Sequence, residues 1–234
     1  MRIAFMSSIA AMASVVCCAV PAHAQSDATG HWKGSVQVQA MQVEFVVDIA
    51  KTAHDELVGT IGLPAQRIQG LPLQKIALDA KTVTFWARED QPFRGTLGDD
   101  GTIAGDMTIE GLVAPFTMTR TGDAAIDAPP RSTGIAKELA GTWTGALEAG
   151  GRQLRLVLRV DPQTDGTVVA EMIDLDEGGL RSPLKLAQQG SSVTIESIAV
   201  PATISCTLSA DANELRGTFT QGTTTLPLTF RHGK

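Results

Sequence analysis

Gly141-Thr142-Trp143-Thr144-Gly145, with Leu154-Arg155-Leu156-Val157-Leu158-Arg159-Val160 a short way downstream, carries the reading of the fold. In the second stretch apolar side chains alternate with Arg155, Val157 and Arg159, a period of two that belongs to a strand with one buried face. The first stretch sets a tryptophan between two glycines ahead of that pattern. Both stretches have earlier counterparts at one constant displacement: Gly30-His31-Trp32-Lys33-Gly34, then Val43, Phe45, Val47 and Ile49 alternating with Glu44, Val46 and Asp48. A repeat outweighs any single segment, because it fixes the unit that must fold.

The match continues outward. Pro72-Leu73 returns as Pro183-Leu184, Arg94-Gly95-Thr96-Leu97 as Ser205-Cys206-Thr207-Leu208, and Gly105-Asp106-Met107-Thr108 as Gly217-Thr218-Phe219-Thr220. The copies close on Arg120-Thr121-Gly122 and Arg231-His232-Gly233. Two units follow, 30–122 and 141–233. The segment 123–140 reads as a linker, since Asp123 to Gly134 holds Pro129-Pro130 and no alternation. Its end, Ile135 to Ala140, predicts one helical turn. Turn signals about every ten residues (Asp99-Asp100-Gly101 and Glu110-Gly111; Asp165-Gly166 and Gln221-Gly222) divide each unit into about eight short antiparallel strands.

The chain is therefore expected to be all-β. An open eight-stranded sheet would leave two edges and a wet apolar face, so each unit is expected to close into a small up-and-down, lipocalin-like barrel. Such a barrel is filled by side chains or holds one small ligand. A single larger barrel made from both copies fits the proline-rich linker less well.

The first residues show a different pattern. Arg2, an apolar run from Ile3 to Val20 and the small-x-small end Ala22-His23-Ala24 make residues 1–24 a cleavable secretory signal by expectation, with Gln25 as the mature start. That places the protein in the periplasm or outside the cell. Cleavage removes two of the three cysteines and leaves Cys206, so no internal disulfide is available and packing alone holds the fold. The net charge of −6 and the lack of a basic stripe exclude nucleic acid as a partner class. No later stretch is long and apolar enough to span a bilayer as a helix.

The run Gly141 to Leu147, then Leu154 to Leu158, Leu215-Arg216-Gly217-Thr218, Gln221-Gly222 and Leu226-Pro227-Leu228-Thr229, resembles the small β domain that precedes the catalytic domain in exported bacterial α/β-hydrolases of the esterase and serine-aminopeptidase type. The resemblance covers the second unit and, more loosely, the first. It implies a β-barrel accessory to a hydrolase, or the remnant of one. The family's mid-domain Asp-Gln-Gly-like stretch reads Asp174-Leu175-Asp176-Glu177-Gly178-Gly179 here. No Gly-x-Ser-x-Gly elbow occurs, so the resemblance brings no nucleophile.

No motif predicts a cofactor or a metal. His31, His54 and His232 are not spaced as ligands, and the acids Asp174, Asp176 and Glu177 lack the ligand positions of a calcium loop. Trp32 and Trp143 are expected to plug one end of each barrel. Trp86, which has Glu196 as its counterpart, is the copy-specific aromatic, and with Phe85 and Phe93 it is the expected lining of a small apolar site. Three functions follow as expectations: a non-catalytic module that binds a protein or the cell envelope, a carrier of a small apolar ligand, or an accessory to a hydrolase. The outward residues of the second strand, Glu44 and Asp48 against Arg155 and Arg159, further predict a pseudo-twofold contact between the units through these strands.

Overall fold

The structure is a computed structural model and describes residues 27–233; the expected signal segment lies outside them. The first unit runs β1 (Gly30–Val38), β2 (Met41–Lys51), β3 (Leu57–Leu63), β4 (Ile68–Pro72), β5 (Lys75–Asp79), β6 (Thr82–Arg88), β7 (Gln91–Leu97), β8 (Thr102–Ile109) and β9 (Leu112–Gly122). A two-residue strand, β10 (Arg131–Ser132), lies in the linker. The second unit runs β11 (Gly141–Ala149), β12 (Arg152–Pro162), β13 (Val168–Asp174), β14 (Leu180–Gln189), β15 (Ser192–Ser197), β16 (Ala202–Leu208), β17 (Glu214–Gln221) and β18 (Thr224–His232). Every ladder is antiparallel and joins neighbours in sequence, except that the first and last strands of each unit also pair and that β10 pairs with β13.

In the second unit the ring is complete, because β13 pairs with β14 as well as with β12. One continuous strand does this: Leu184 stands opposite Ala170 on one side and Ser197 on the other. The first unit breaks the same path at Leu73-Gln74. The Leu73 N–H donates to Gly59 (2.9 Å) and the Gln74 N–H to Trp86 (2.8 Å), so β4 stays with β3, β5 stays with β6, and the seam between β4 and β5 has no ladder.

Trp32 and Trp143 are fully buried. Their indole N–H groups donate to Ala28 (3.0 Å) and Leu139 (2.9 Å), carbonyls of the segment that precedes each unit. The predicted turn before the second unit forms as a single 3-10 turn, Lys137–Leu139, and puts buried Leu139 against Trp143. His232 closes the same end, with its ring stacked on Trp143 at 4.2 Å and its Nε2 3.1 Å from the Ala140 carbonyl. One end of each barrel is thus plugged. Gly145 lets the strands approach: a Cβ there would stand 2.7 Å from the Phe230 ring and 2.8 Å from the Thr229 carbonyl.

The linker lies along the second barrel. Ser132 is buried, and its hydroxyl accepts the Leu186 N–H at 2.8 Å, while Arg131 and Ser132 pair with Val169 and Val168. The strap therefore straddles β13 and β14 where their own ladder ends. At its start the Ala125 N–H donates to Asp48 (2.9 Å) on the first barrel.

The units do not meet through their second strands. Arg155 pairs with Asp176 (2.7 Å), Arg159 with Glu171 (3.4 Å), and Asp48 is taken by His31 (2.9 Å) as well as by Ala125. Asp48, Arg155 and Arg159 thus find partners within their own units. The contact is made by loops at the unplugged ends, and it is reciprocal in kind. Gln69, beside the β3–β4 turn, donates to Ala199 in the β15–β16 turn (3.0 Å). Glu89, in the β6–β7 turn, donates to Gly178 in the β13–β14 turn (3.0 Å), and Arg88 pairs with Glu177 (2.8 Å). Each unit offers the same two loops, the arrangement of an isologous pair.

Candidate functional site

A cavity of about 310 Å³ occupies the unplugged end of the second barrel. Side chains alternate along a strand, so the lining residues come from the inward-facing set, with Val200 of the β15–β16 turn added. Leu147, Leu154, Leu156, Met172, Leu184, Ile195, Ile204, Phe219 and Leu226 supply its apolar body. Nearer the turns the lining is mixed, with polar Asp174, Ser182, Ser197, Gln221 and Thr224 beside apolar Ala149, Leu180, Val200 and Ala202.

Comparing matched positions gives the cause. In the first barrel Phe45, Phe85, Phe93 and Phe116 form one aromatic cluster, with Phe85 and Phe93 stacked at 4.7 Å and Phe116 edge-on to both Phe93 (5.4 Å) and Phe45 (6.2 Å). The second barrel has Leu156, Ile195, Ile204 and Leu228 at those four places. Only two rings come back, Phe219 and Phe230 where the first has Met107 and Met118. The polar rim follows the same rule. Asp174, Ser182, Ser197, Gln221 and Thr224 replace Leu63, Leu71, Ala87, Ile109 and Leu112. Smaller side chains empty the middle, and polar ones make the mouth able to hold water or a head group.

Asp174 is the one charged residue in the lining. Its Oδ1 accepts the N–H groups of Asp176 (3.0 Å) and Glu177 (3.1 Å), a local turn that fixes the carboxylate at the rim. Burial raises its pKa above the ordinary 3.8, and the nearby charges of Glu177 and Asp176 add to the rise. Those two neighbours have cations of their own, Arg155 for Asp176 and Arg88 for Glu177. Among the described residues no cation pairs with Asp174.

The structure separates the three aromatics expected to share a site. Phe85 and Phe93 face the interior of the first barrel and are part of its packed core. Trp86 follows Phe85 in the strand and points to the outer face, where the Lys75 ammonium lies 5.2 Å from its ring. The residues that line the cavity were not singled out by their sequence, although a position-by-position comparison of inward residues between the copies carries the signal.

The remaining candidates are structural. His31 is bound to Asp48, His232 to the plug, and His54 is exposed in a turn. Among the described residues no group of three His, Cys, Asp or Glu side chains gathers in metal-ligand fashion. Cys206 is buried, its thiol donates to the Val193 carbonyl (3.4 Å), and burial pushes its pKa to about 11. No helix among the described residues is long and apolar enough to cross a membrane.

These observations define an all-β protein of two barrel units, the first filled and open along one seam, the second closed and hollow at its mouth. No family model matches the chain and no curated protein matches it. Solved structures resemble it loosely. A protein provisionally described as an outer membrane protein of Bacteroides fragilis aligns over 88% of this chain and 97% of its own at 13% identity, with a TM-score of 0.26. A DUF3598 protein of unknown function from Nostoc punctiforme aligns over 88% and 96% at 11% identity, TM-score 0.26. The Burkholderia oklahomensis agglutinin aligns over 87% and 95% at 12% identity, TM-score 0.20. Similarities of that size carry no argument, and the functional reading rests on the chain's own residues.

Proposed function

We propose that this protein is an exported, non-catalytic binding module whose second barrel takes up a small apolar ligand. The observation that carries the reading is the cavity of about 310 Å³, apolar within and bearing polar side chains at its rim, in one copy of a repeat whose other copy fills the same space with phenylalanine. The volume lies at the lower end of the range for small-molecule sites, which starts near ~300 Å³. Export is supported by the signal pattern of residues 1–24. The test is native mass spectrometry of residues 25–234 after gentle purification, beside the double variant Ile195→Phe/Ile204→Phe. These substitutions place the first barrel's stacked pair in the second. The wild type should carry a small apolar molecule, or take one up on addition, and the filled variant should not. Equal uptake by both would overturn the reading.

Contact with a protein or with the envelope is a second reading, favoured by Met41, Leu112 and Val113. All three are exposed on neighbouring turns of the first unit, where the second unit has Arg152, Thr224 and Thr225. Replacing the three by the second unit's residues should abolish binding to envelope extracts if this surface makes the contact.

A further inference from the structure

We propose that the cavity selects its guest by charge, taking an amphiphile with an apolar body and a cationic amine head that pairs with Asp174. The inference rests on the cavity being a ligand site, and goes beyond it by assigning the chemical class of the guest.

Three observations carry it. First, the rim of this cavity carries the greater share of polar residues: each of its polar rim residues stands where the first unit has an apolar one, with Asp174 in the place of Leu63, against one exchange the other way, Gln91 for Ala202. A carboxylate turned toward an apolar cavity is a costly replacement for leucine unless something pairs with it. Second, the lining contains no lysine, arginine or histidine. A fatty acid would bring its carboxylate toward Asp174 with no cation in the lining to receive it. Third, the charges around Asp174 are already matched: Asp176 is held by Arg155 of β12 and Glu177 by Arg88 of the first unit. Asp174 is left as the unmatched charge, with both of its hydrogen bonds on Oδ1. Its raised pKa agrees with a carboxylate waiting for a partner.

Binding of decylamine, 1-decanol and decanoate, three guests of equal chain length, is measured by isothermal titration at neutral pH and below their micelle concentrations. The proteins compared are the wild type, Asp174→Asn and the filled Ile195→Phe/Ile204→Phe variant. Asparagine keeps the acceptor that holds the 174–177 turn. In the wild type decylamine should bind about tenfold or more tightly than decanoate, the scale of one charge-assisted hydrogen bond. In Asp174→Asn that preference should fall to within about threefold, while decanol binding stays unchanged and shows the cavity intact. The filled variant should bind none of the three. Equal affinity of the wild type for amine and decanoate, or a preference that survives Asp174→Asn, overturns the charge selection while leaving the ligand site standing. No binding of any guest to the wild type, or undiminished binding to the filled variant, overturns the site itself and the selection with it.

Discussion

At position 63 the first unit carries leucine, and at the matching position 174 the second carries aspartate. Leu63 packs on its core, whereas Asp174 is half-buried with its charge unmatched. A carboxyl whose pKa is raised by folding contributes its stability below its unfolded value, and that contribution is lost as the pH rises through the folded value. Asp174→Asn should therefore raise the melting temperature of the ligand-free protein at neutral pH. The gain should vanish below about pH 4, where wild-type Asp174 is already protonated near its ordinary value. Melts across pH 3–8 check this, and a gain that persists in acid would assign the effect to something other than charge. The sequence showed Asp174 within an acidic run and invited comparison with a calcium loop. Its inward direction became visible only once β13 was in register with β14.

Tryptophan at the start of each unit illustrates what was legible at the scale of the element. Gly-x-Trp-x-Gly ahead of an alternating strand implied a plug, and Trp32 and Trp143 are both buried and held through their indole N–H groups. Trp143→Ala should cost about 3–5 kcal/mol, read by urea denaturation. Trp86→Ala should cost under about 1 kcal/mol, because it removes a half-buried cation–π contact on the outer face. The reverse order would mean that core and surface had been exchanged. Hairpins were legible for the same local reasons: alternation set the strands, and turn pairs such as Glu110-Gly111, both at positive φ, set their ends. The break between β4 and β5 was not. It depends on Leu73 and Gln74 bonding to strands on either side, a choice between long-range partners that no window of sequence displays. The cavity escaped for a related reason. Trp86 differs between the copies and attracts notice, yet it faces outward; the informative differences were inward ones, phenylalanine against leucine or isoleucine.

Over the whole molecule, the repeat located the two units, but the later part of the linker, from Arg131 on, packs as part of the second one. Ser132 and Leu139 are buried on that barrel, one where the β13–β14 ladder ends and one under its plug. Ser132→Ala would leave the Leu186 N–H without its partner, at a cost of about 1–3 kcal/mol. Thr133→Ala, at an exposed neighbour, should be silent. Equilibrium unfolding followed by Trp143 fluorescence should show the difference in the second barrel. A pseudo-twofold contact was anticipated from opposite charges on β2 and β12, but such charges are as readily satisfied within a unit, as Asp48, Arg155 and Arg159 are here. The loops that do meet offer backbone groups, Gln69 to Ala199 and Glu89 to Gly178, which leave no compositional trace, and one ion pair, Arg88 with Glu177, that no repeat of charge announces.

The strap also sets a length. Its chain is tied to the first barrel at Ala125 and to the second at Arg131, both toward the plugged ends, and that stretch reaches at most about 22 Å when fully extended. Two barrels of strands this long, tilted as barrel strands are, stand roughly 20 Å tall each. Stacked end to end they would hold their plugs some ~40 Å apart, beyond that reach. They must stand side by side, like two cups on one tray, both opening upward. Asp27, the linker and Gly233 then share the underside of the tray. An attachment on that underside, to a resin, a dye or a membrane, lies on the side away from the rims, where the loops of the two units meet.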